Sequence, residues 1–187
     1  MSETRKIIKG CLAGHRRDQE LLYRRYSPAL YATCLQYSGG NDEAMDVLQE
    51  GFIKIFRNLS QYKHEGSFEG WMRRIIINTA LEKYRCRHNL YRVDDIIGID
   101  EPEAYPDTED YSGVEAMELL AMVRELPPKY RMVFNLYAIE GYSHREISEM
   151  MKISEGTSKS NLSRARGILQ RKLEAEMGIK MRVANAR

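Results

Sequence analysis

The chain has 187 residues, of which 43% are hydrophobic and 30% charged, with 5 Pro and 13 Gly. This composition excludes a fibrous or disordered chain and is typical of a helix-rich globular protein, and the length admits one domain or two small ones. The three cysteines (Cys11, Cys34 and Cys86) form no CxxC pair and are odd in number, so we expect no disulfide framework and a reducing cytoplasm. We expect neither export nor membrane insertion, because the sequence has no signal-peptide core and no long uncharged apolar run.

The formal net charge of +2 is unevenly divided along the chain. Residues 1–92 carry 16 Lys+Arg against 10 Asp+Glu, residues 93–114 carry eight acidic residues and no basic one, and residues 115–187 carry 13 against nine. The local balances are +6, −8 and +4. A solvated charge run is the commoner explanation of any single block, but the alternation suggests two polyanion-binding modules joined by a segment that avoids polyanions.

In the first basic block, helical periodicity predicts helices over residues 19–37, 42–59 and 68–87. Gly39 and Gly40 end the first of these, and Asn41 is the predicted N-cap of the second, because its side-chain oxygen can accept an unpaired backbone N–H.

Apolar periodicity lapses in the acidic stretch, which Pro102 and Pro106 interrupt, so residues 93–113 are predicted to be a flexible linker between domains at 1–92 and 114–187. Beyond it, helices are predicted over residues 114–126, 129–140, 143–151 and 155–177, with Pro128 in a first helical turn. No alternating run of strand length occurs. The predicted fold class is all-α, with two small helical domains joined by an acidic linker.

The segment from Gly141 to Arg166 has the pattern of helix, tight turn and helix. Ser143 and Glu146 form a capping box. The first helix is predicted to bury Ile147, Met150 and Met151, and Ser154 to cap the second. This is the helix-turn-helix plan, whose second helix enters the major groove of DNA.

The second helix of this motif has two stripes. Leu162, Ala165, Leu169 and Leu173 recur at three- and four-residue steps and are the predicted packing face. The polar stripe, suited to base edges and phosphates, comprises Lys159, Ser160, Ser163, Arg164 and Arg166. A solvated face of an ordinary amphipathic helix is the alternative interpretation.

Four motifs in this order and spacing resemble an extracytoplasmic-function (ECF) sigma factor of the sigma-70 family. They are residues 46–52 (DVLQEGF), 67–80 (SFEGWMRRIIINTA), 126–134 (LPPKYRMVF) and the helix-turn-helix segment. The resemblance places region 2 over roughly residues 15–90 and region 4 over 114–176. It implies a protein that binds core RNA polymerase, directs it to promoters and assists promoter melting.

The resemblance also assigns roles to individual residues. The helix over residues 42–59 would dock on the clamp of the largest polymerase subunit, through Asp46, Gln49, Glu50 and the aromatic anchor Phe52. The next helix would read the minus 10 box and hold its melted strand. Its predicted buried stripe is Trp71, Ile75 and Thr79, and its predicted DNA-facing residues are Arg74, Asn78 and Arg85. The preceding loop, where the family forms a pocket for an extruded base, offers Tyr62, Lys63 and His64.

Region 4 would read the minus 35 element with the polar stripe of the second helix and contact the flap of the second largest subunit. Family members more often carry Arg where Lys159 and Asn161 stand, which predicts a different base preference or weaker binding. The linker would span ~75 Å at most, enough for two DNA sites about two helical turns apart. It is either a plain tether or a segment that enters a basic polymerase channel. The family further implies an anti-sigma protein as a candidate partner.

Other classes find less support. No P-loop, GxSxG or HExxH motif occurs, and the four histidines stand singly, so we expect no catalytic residue, metal or cofactor. A stand-alone helix-turn-helix regulator that binds DNA as a dimer is the main alternative, and residues 42–80 argue against it because such a regulator does not require them. A pure interaction adaptor would leave the stripe from Lys159 to Arg166 without a purpose.

Overall fold

A computed structural model describes the backbone of residues 3–90 and 116–185 and the side chains of residues 3–87 and 118–176. The helices are α1 (Glu3–Leu12), α2 (Arg16–Tyr37), α3 (Asn41–Asn58), α4 (Phe68–Leu90), α5 (Ala116–Arg124), α6 (Pro128–Phe134), α7 (His144–Met151) and α8 (Glu155–Asn185). A 3-10 turn at Leu59–Gln61 follows α3, and a π-helix at Asn135–Ile139 follows α6.

The predicted all-α fold class is confirmed, since the described ranges contain helices and no strand. The chain divides into two compact units at residues 90 and 91. The predicted linker at residues 93–113 lies outside the described residues.

The core of the N-terminal unit lies where α2, α3 and α4 pack against one another. Fully buried side chains from each helix meet there, including Leu30, Leu48, Ile55 and Ile76. Gly51 permits the close approach of α3 to α4, because a Cβ at this position would overlap the Cδ1 of Ile76. The three predicted helices are confirmed, with α2 beginning at Arg16 and α4 extending to Leu90.

Helix α1 was not predicted from the sequence. Ile7, Ile8 and Cys11 are buried, and α1 packs on α2. Its ten residues are too few for a helix that is stable alone, so its formation depends on this burial.

Two further local predictions for this unit are corrected. Asn41 is the first residue of α3 and not its N-cap, which is Gly40; the backbone N–H of Gly39 instead donates to the Glu43 carboxylate at 2.7 Å. On α4, Thr79 is buried as predicted, but Trp71 and Ile75 are only half-buried. The buried residues of this helix are mainly Met72, Ile76, Ile77, Ala80 and Leu81.

The four helices predicted for the C-terminal unit are confirmed with changed ends. Pro128 occupies the first turn of α6, as expected for a residue that has no N–H to donate. The predicted helix over residues 129–140 changes from α to π geometry at Asn135, and α8 continues to Asn185.

Burial within the helix-turn-helix largely follows the prediction. Ile147 and Met151 are buried and Met150 is half-buried. On α8, Leu162, Ala165 and Leu169 are buried, whereas Leu173 is half-buried.

The cysteines Cys11 and Cys34 are buried and Cys86 is exposed, and all three are free thiols. Burial raises the pKa of Cys11 to about 11, with a smaller effect from the Asp18 charge, and burial raises the pKa of Cys34 to about 12. Both buried thiols are therefore unreactive packing residues.

Candidate nucleic-acid and partner interfaces

The helix-turn-helix is fixed by local hydrogen bonds at each junction. Ser143 caps α7: the Glu146 N–H donates to its Oγ at 3.3 Å, and its own N–H donates to the Glu146 carboxylate at 2.8 Å. The Thr157 N–H donates to the Ser154 Oγ at 3.0 Å, which confirms Ser154 as the cap of α8. Between the helices, Lys152 adopts a left-handed conformation with φ 57°. The turn that aims α8 therefore follows from short-range sequence.

The predicted polar stripe of α8 faces solvent, with graded exposure. Lys159 and Ser160 are exposed, and Ser163, Arg164 and Arg166 are half-buried. Asn161, by contrast, is buried, so the departure from the family at this position changes the interior and not the exposed face. Of these two departures, only Lys159 lies on the exposed face of α8.

A polar and aromatic cluster that the sequence did not reveal joins α7, α8 and the π-helix. His144 Nδ1 lies 2.9 Å from the Oγ of Ser158, which is fully buried. The Tyr137 ring stacks on the His144 ring with centroids 4.7 Å apart, and the Arg166 guanidinium lies 5.9 Å from the Tyr137 centroid. Tyr137 and His144 were missed because they belong to different elements, whose approach depends on the turn at Gly141 and Tyr142.

In the N-terminal unit, α3 presents part of the stripe that was predicted to bind a protein. Asp46 and Gln49 are exposed, and Glu50 is partly exposed between Lys54 at 3.1 Å and Lys83 at 3.4 Å. Partial burial acts to raise the pKa of Glu50, but hydrogen bonds and charges from Lys54 and Lys83 outweigh that effect and leave the pKa below its ordinary value. Glu50 is therefore tied to α4 and is less available to a partner than Asp46.

The prediction that Phe52 is an aromatic anchor for a partner is corrected. Its side chain is only 3% exposed and packs on the Tyr23 ring at 4.6 Å, so it belongs to the core. Two apolar side chains of α3 are exposed instead: Met45 at 40% and Ile53 at 50%. With Gln49 they stand four residues apart on one face of the helix, a spacing visible in the sequence once the buried stripe is placed.

The predicted DNA-facing residues of α4 also reach the surface. Arg74 and Asn78 are exposed and Arg85 is half-buried. The half-buried Trp71 lies three and seven residues before Arg74 and Asn78, so the three side chains share one face. This face combines an indole ring, a cation and an amide, which are the groups that stack on and hydrogen-bond to unpaired bases.

The loop between α3 and α4 is organised by aromatic contacts. The Tyr62 hydroxyl donates to the Gly66 carbonyl at 3.0 Å, and the Tyr62 ring lies 4.8 Å from His64, 5.0 Å from Phe68 and 5.5 Å from Trp71. His64 has a left-handed φ of 62°, which turns the loop back on itself. Tyr62 is therefore held in place, while Lys63 and His64 are exposed.

A cavity of about 370 Å³ opens beside this loop. Tyr62 and His64 line one side, and Thr4, Arg5 and Ile8 of the unpredicted helix α1 line another. Its volume lies in the range of small-molecule pockets, and the mixture of rings and polar groups suits a flat, hydrogen-bonding ligand. Lys63 is not among the residues that line the cavity.

Two features are absent from the described residues of both units. No group of three His, Cys, Asp or Glu side chains there could hold a metal ion. No helix in the same ranges has the length and apolar character needed to span a bilayer.

The helix-turn-helix, with a separate unit whose α4 surface carries the half-buried Trp71 and the exposed Arg74 and Asn78, defines a two-module DNA-binding protein. Family models for sigma-70 region 2 and sigma-70 region 4 match residues 22–89 and 116–169. The ECF RNA polymerase sigma factor SigE of Mycolicibacterium smegmatis is 30% identical over 148 residues, which cover 78% of this chain and 57% of that protein. The ECF RNA polymerase sigma-E factor of Haemophilus influenzae is 27% identical over 182 residues, or 91% of this chain and 95% of that one.

Among solved structures, the sigma factor RpoE of Bartonella quintana, in complex with the anti-sigma factor NepR, resembles this chain with a TM-score of 0.50 and 22% identity. The match covers 84% of this chain and 98% of that one, and it shows a shared fold. The chain belongs to the ECF group of the sigma-70 family, which confirms the resemblance found in its motifs.

Proposed function

We propose that the protein is an initiation factor that binds core RNA polymerase, brings it to particular promoters and helps to open the DNA strands. One observation carries the proposal: the chain presents a helix-turn-helix with an exposed polar stripe and, in a separate unit, a face suited to unpaired bases. A stand-alone helix-turn-helix regulator would need only the first. The protein acts by binding in a cytoplasmic setting, and its own residues perform no catalysis.

Contact with polymerase is assigned to α3. Met45 and Ile53 supply exposed apolar area beside the polar side chains of Asp46 and Gln49, an arrangement typical of interfaces in which an apolar centre is rimmed by charge. The proposed partner is the clamp of the largest polymerase subunit. Glu50 contributes mainly by holding α3 to α4 through Lys83.

Recognition of the minus 10 element is assigned to α4 and the cavity beside Tyr62. Asn78 can donate to and accept from one base edge, and Arg74 and Arg85 attract phosphates. An extruded base would enter the cavity and stack on its rings, a contact worth about 1–3 kcal/mol. Tyr62 and His64 line this cavity. Lys63, exposed on the same loop, is assigned to the neighbouring backbone.

Recognition of the minus 35 element is assigned to the polar stripe of α8. Lys159 and Ser160 are exposed near the capped N-terminus of the helix, where a recognition helix contacts base edges. Ser163, Arg164 and Arg166 lie further along the stripe, where hydroxyl and guanidinium groups suit the backbone as well as bases. The linker at residues 93–113 as a tether, the flap contact and an anti-sigma partner stay predictions from the family resemblance.

The test is transcription in vitro with purified core polymerase and a random promoter library, with start sites mapped in the presence and absence of the protein. We expect a distinct set of starts that requires the protein. Starts that are the same with and without it would refute the proposal, whereas duplex binding by the protein alone with no new starts would favour a stand-alone regulator.

The docking surface has its own test in a pull-down with core polymerase. Asp46→Lys is expected to disrupt association, because it reverses an exposed charge on α3 beside the exposed side chain of Met45. Glu20→Lys is the matched control, since it makes the same charge change at an exposed carboxylate on a different helix, α2. Equal retention of both variants would remove the assignment to α3.

A further inference from the structure

Side-chain contacts around Tyr137 connect two residues of α8 to each other through other elements. Ser158, in the first turns of α8, lies 2.9 Å from His144 Nδ1, and the His144 ring stacks on Tyr137 at an interplanar angle of 20°. Tyr137 in turn lies under the guanidinium of Arg166, which is eight residues after Ser158 on α8. The stack of Tyr137 and His144, here called the ring platform, therefore connects the buried Ser158 to Arg166 of the polar stripe.

Burial explains why the ring platform has a fixed position. The Ser158 hydroxyl is fully buried, and a buried hydroxyl without a hydrogen-bond partner is costly, so the bond to His144 holds the imidazole at one orientation. The capping box places His144 in the first turn of α7, directly after Ser143. The imidazole is thus fixed from both its backbone and its ring nitrogen.

The π-helix at Asn135–Ile139 determines where Tyr137 points. The wider π turn re-aims side chains relative to an α-helix, and such turns often occur at functional sites. Tyr137 is 36% exposed, so it contributes little to the core. Its ring contacts both the His144 ring and the Arg166 guanidinium.

We propose that Tyr137 is a positioning residue for DNA recognition: the ring platform holds the Arg166 guanidinium in a defined orientation on the polar stripe before DNA binds. The inference rests on the proposed role of α8 in reading the minus 35 element. A cation–π contact uses the planar face of a guanidinium and not its N–H edge, which is the edge that forks onto phosphates and base acceptors. Ordering this long side chain in advance reduces the entropy that binding must otherwise remove.

The experiment measures the affinity of the holoenzyme, reconstituted with full-length protein, for a duplex promoter fragment recovered in the start-site mapping. Tyr137→Leu is expected to weaken binding about 2- to 5-fold, the range of an exposed cation–π contact. Tyr137→Phe keeps the ring and is expected to bind like the wild type. Ile139→Ala is the matched control, because Ile139 lies in the same π-helix and is 38% exposed, and it should have no effect.

The decisive measurement is a double-mutant cycle with Arg166→Ala, which alone is expected to weaken binding about 5- to 150-fold as a direct DNA contact. If Tyr137 acts through Arg166, Tyr137→Leu will have no further effect in the Arg166→Ala background. Additive losses would mean that Tyr137 touches DNA independently and would overturn the inference, as would a Tyr137→Phe variant as weak as Tyr137→Leu.

The same variants distinguish a failure of this inference from a failure of the proposed function. If Arg166→Ala weakens binding and Tyr137→Leu does not, only the positioning role is lost. If Arg166→Ala has no effect, the assignment of Arg166 to DNA and the positioning role fail together. Thermal unfolding of each variant is measured in parallel. If Tyr137→Leu lowers the midpoint of unfolding as well as the affinity for DNA, the ring has a structural role and the inference is overturned.

Discussion

Different kinds of contact position the helices that carry the exposed surfaces of the two units. In the N-terminal unit, ion pairs and close packing join helices that are far apart in sequence: Lys54 pairs with Glu82 at 2.6 Å and Arg87 pairs with Glu43 at 2.9 Å. In the C-terminal unit, hydrogen bonds between residues three positions apart, at Ser143 and Ser154, set where α7 and α8 begin. The exposed surfaces of the first unit depend on long-range contacts, whereas the helix starts of the helix-turn-helix depend on local ones.

This difference predicts how far the effect of a substitution extends within each unit. A change at the α3 to α4 contact alters the whole N-terminal unit, because three helices share one core. A change at a cap in the C-terminal unit alters one helix end. Trp71 is the only tryptophan and lies in the N-terminal unit, so its fluorescence reports the unfolding of that unit alone.

The largest expected effect is that of Gly51→Leu. A side chain at this position overlaps Ile76 in a filled core, and we expect a loss of about 3 kcal/mol in the free energy of unfolding, at the upper end for overpacking. Urea unfolding followed by Trp71 fluorescence measures it. Adding Ile76→Ala to the same chain returns space and should restore part of the loss; a second substitution that only adds to the damage would contradict this packing.

Lys159→Ala comes next and concerns binding by the C-terminal unit. Removing an exposed cation from the polar stripe should cost about 1–3 kcal/mol at the minus 35 element while core polymerase association stays intact. Holoenzyme binding to promoter fragments with and without that element measures it. Arg171→Ala, an exposed cation about 18 Å further along α8, is the control. Loss of polymerase association with Lys159→Ala would show that the stripe has a structural role.

Ser143→Ala should have a smaller and local effect. It removes the cap of α7 and should lower the free energy of unfolding of the C-terminal unit by about 1 kcal/mol. Circular dichroism should detect the change, and the Trp71 transition should not move. Ser148→Ala, a serine within the same helix, should cause no loss, because alanine favours a helix interior. A shift of the Trp71 transition would show that the two units are coupled.

The smallest expected effect is a pH dependence of the N-terminal unit. Because the pKa of Glu50 is lowered in the folded state, its ionised form stabilises the unit above the ordinary glutamate pKa, 4.5, and that contribution is lost as the pH falls through the lowered value. Glu50→Gln should therefore be less stable than the wild type near neutral pH and approach it in acid. The same difference between the two proteins at both pH values would contradict the pairing with Lys54 and Lys83.

Local signals were predicted well and cross-element geometry was not. The capping box, Pro128 and the cap at Ser154 could be found because each depends on residues within one helical turn. Helix α1, the burial of Phe52 and the cluster of Tyr137 with His144 could not, because each depends on which helix lies opposite. The predicted N-cap at Asn41 was also wrong by one residue, because α3 begins at Asn41 and Gly40 precedes it as the N-cap.

The sequence by itself determined the family, the all-α class and the polar stripe of α8, because motif spacing and helical period are properties of the chain alone. Only the tertiary structure decided which side chains of α3 reach solvent, what forms the walls of the cavity beside Tyr62 and which ring lies under Arg166. The physical reason is that exposure and stacking depend on the distance between elements. Packing sets that distance, and the order of residues along one element does not contain it.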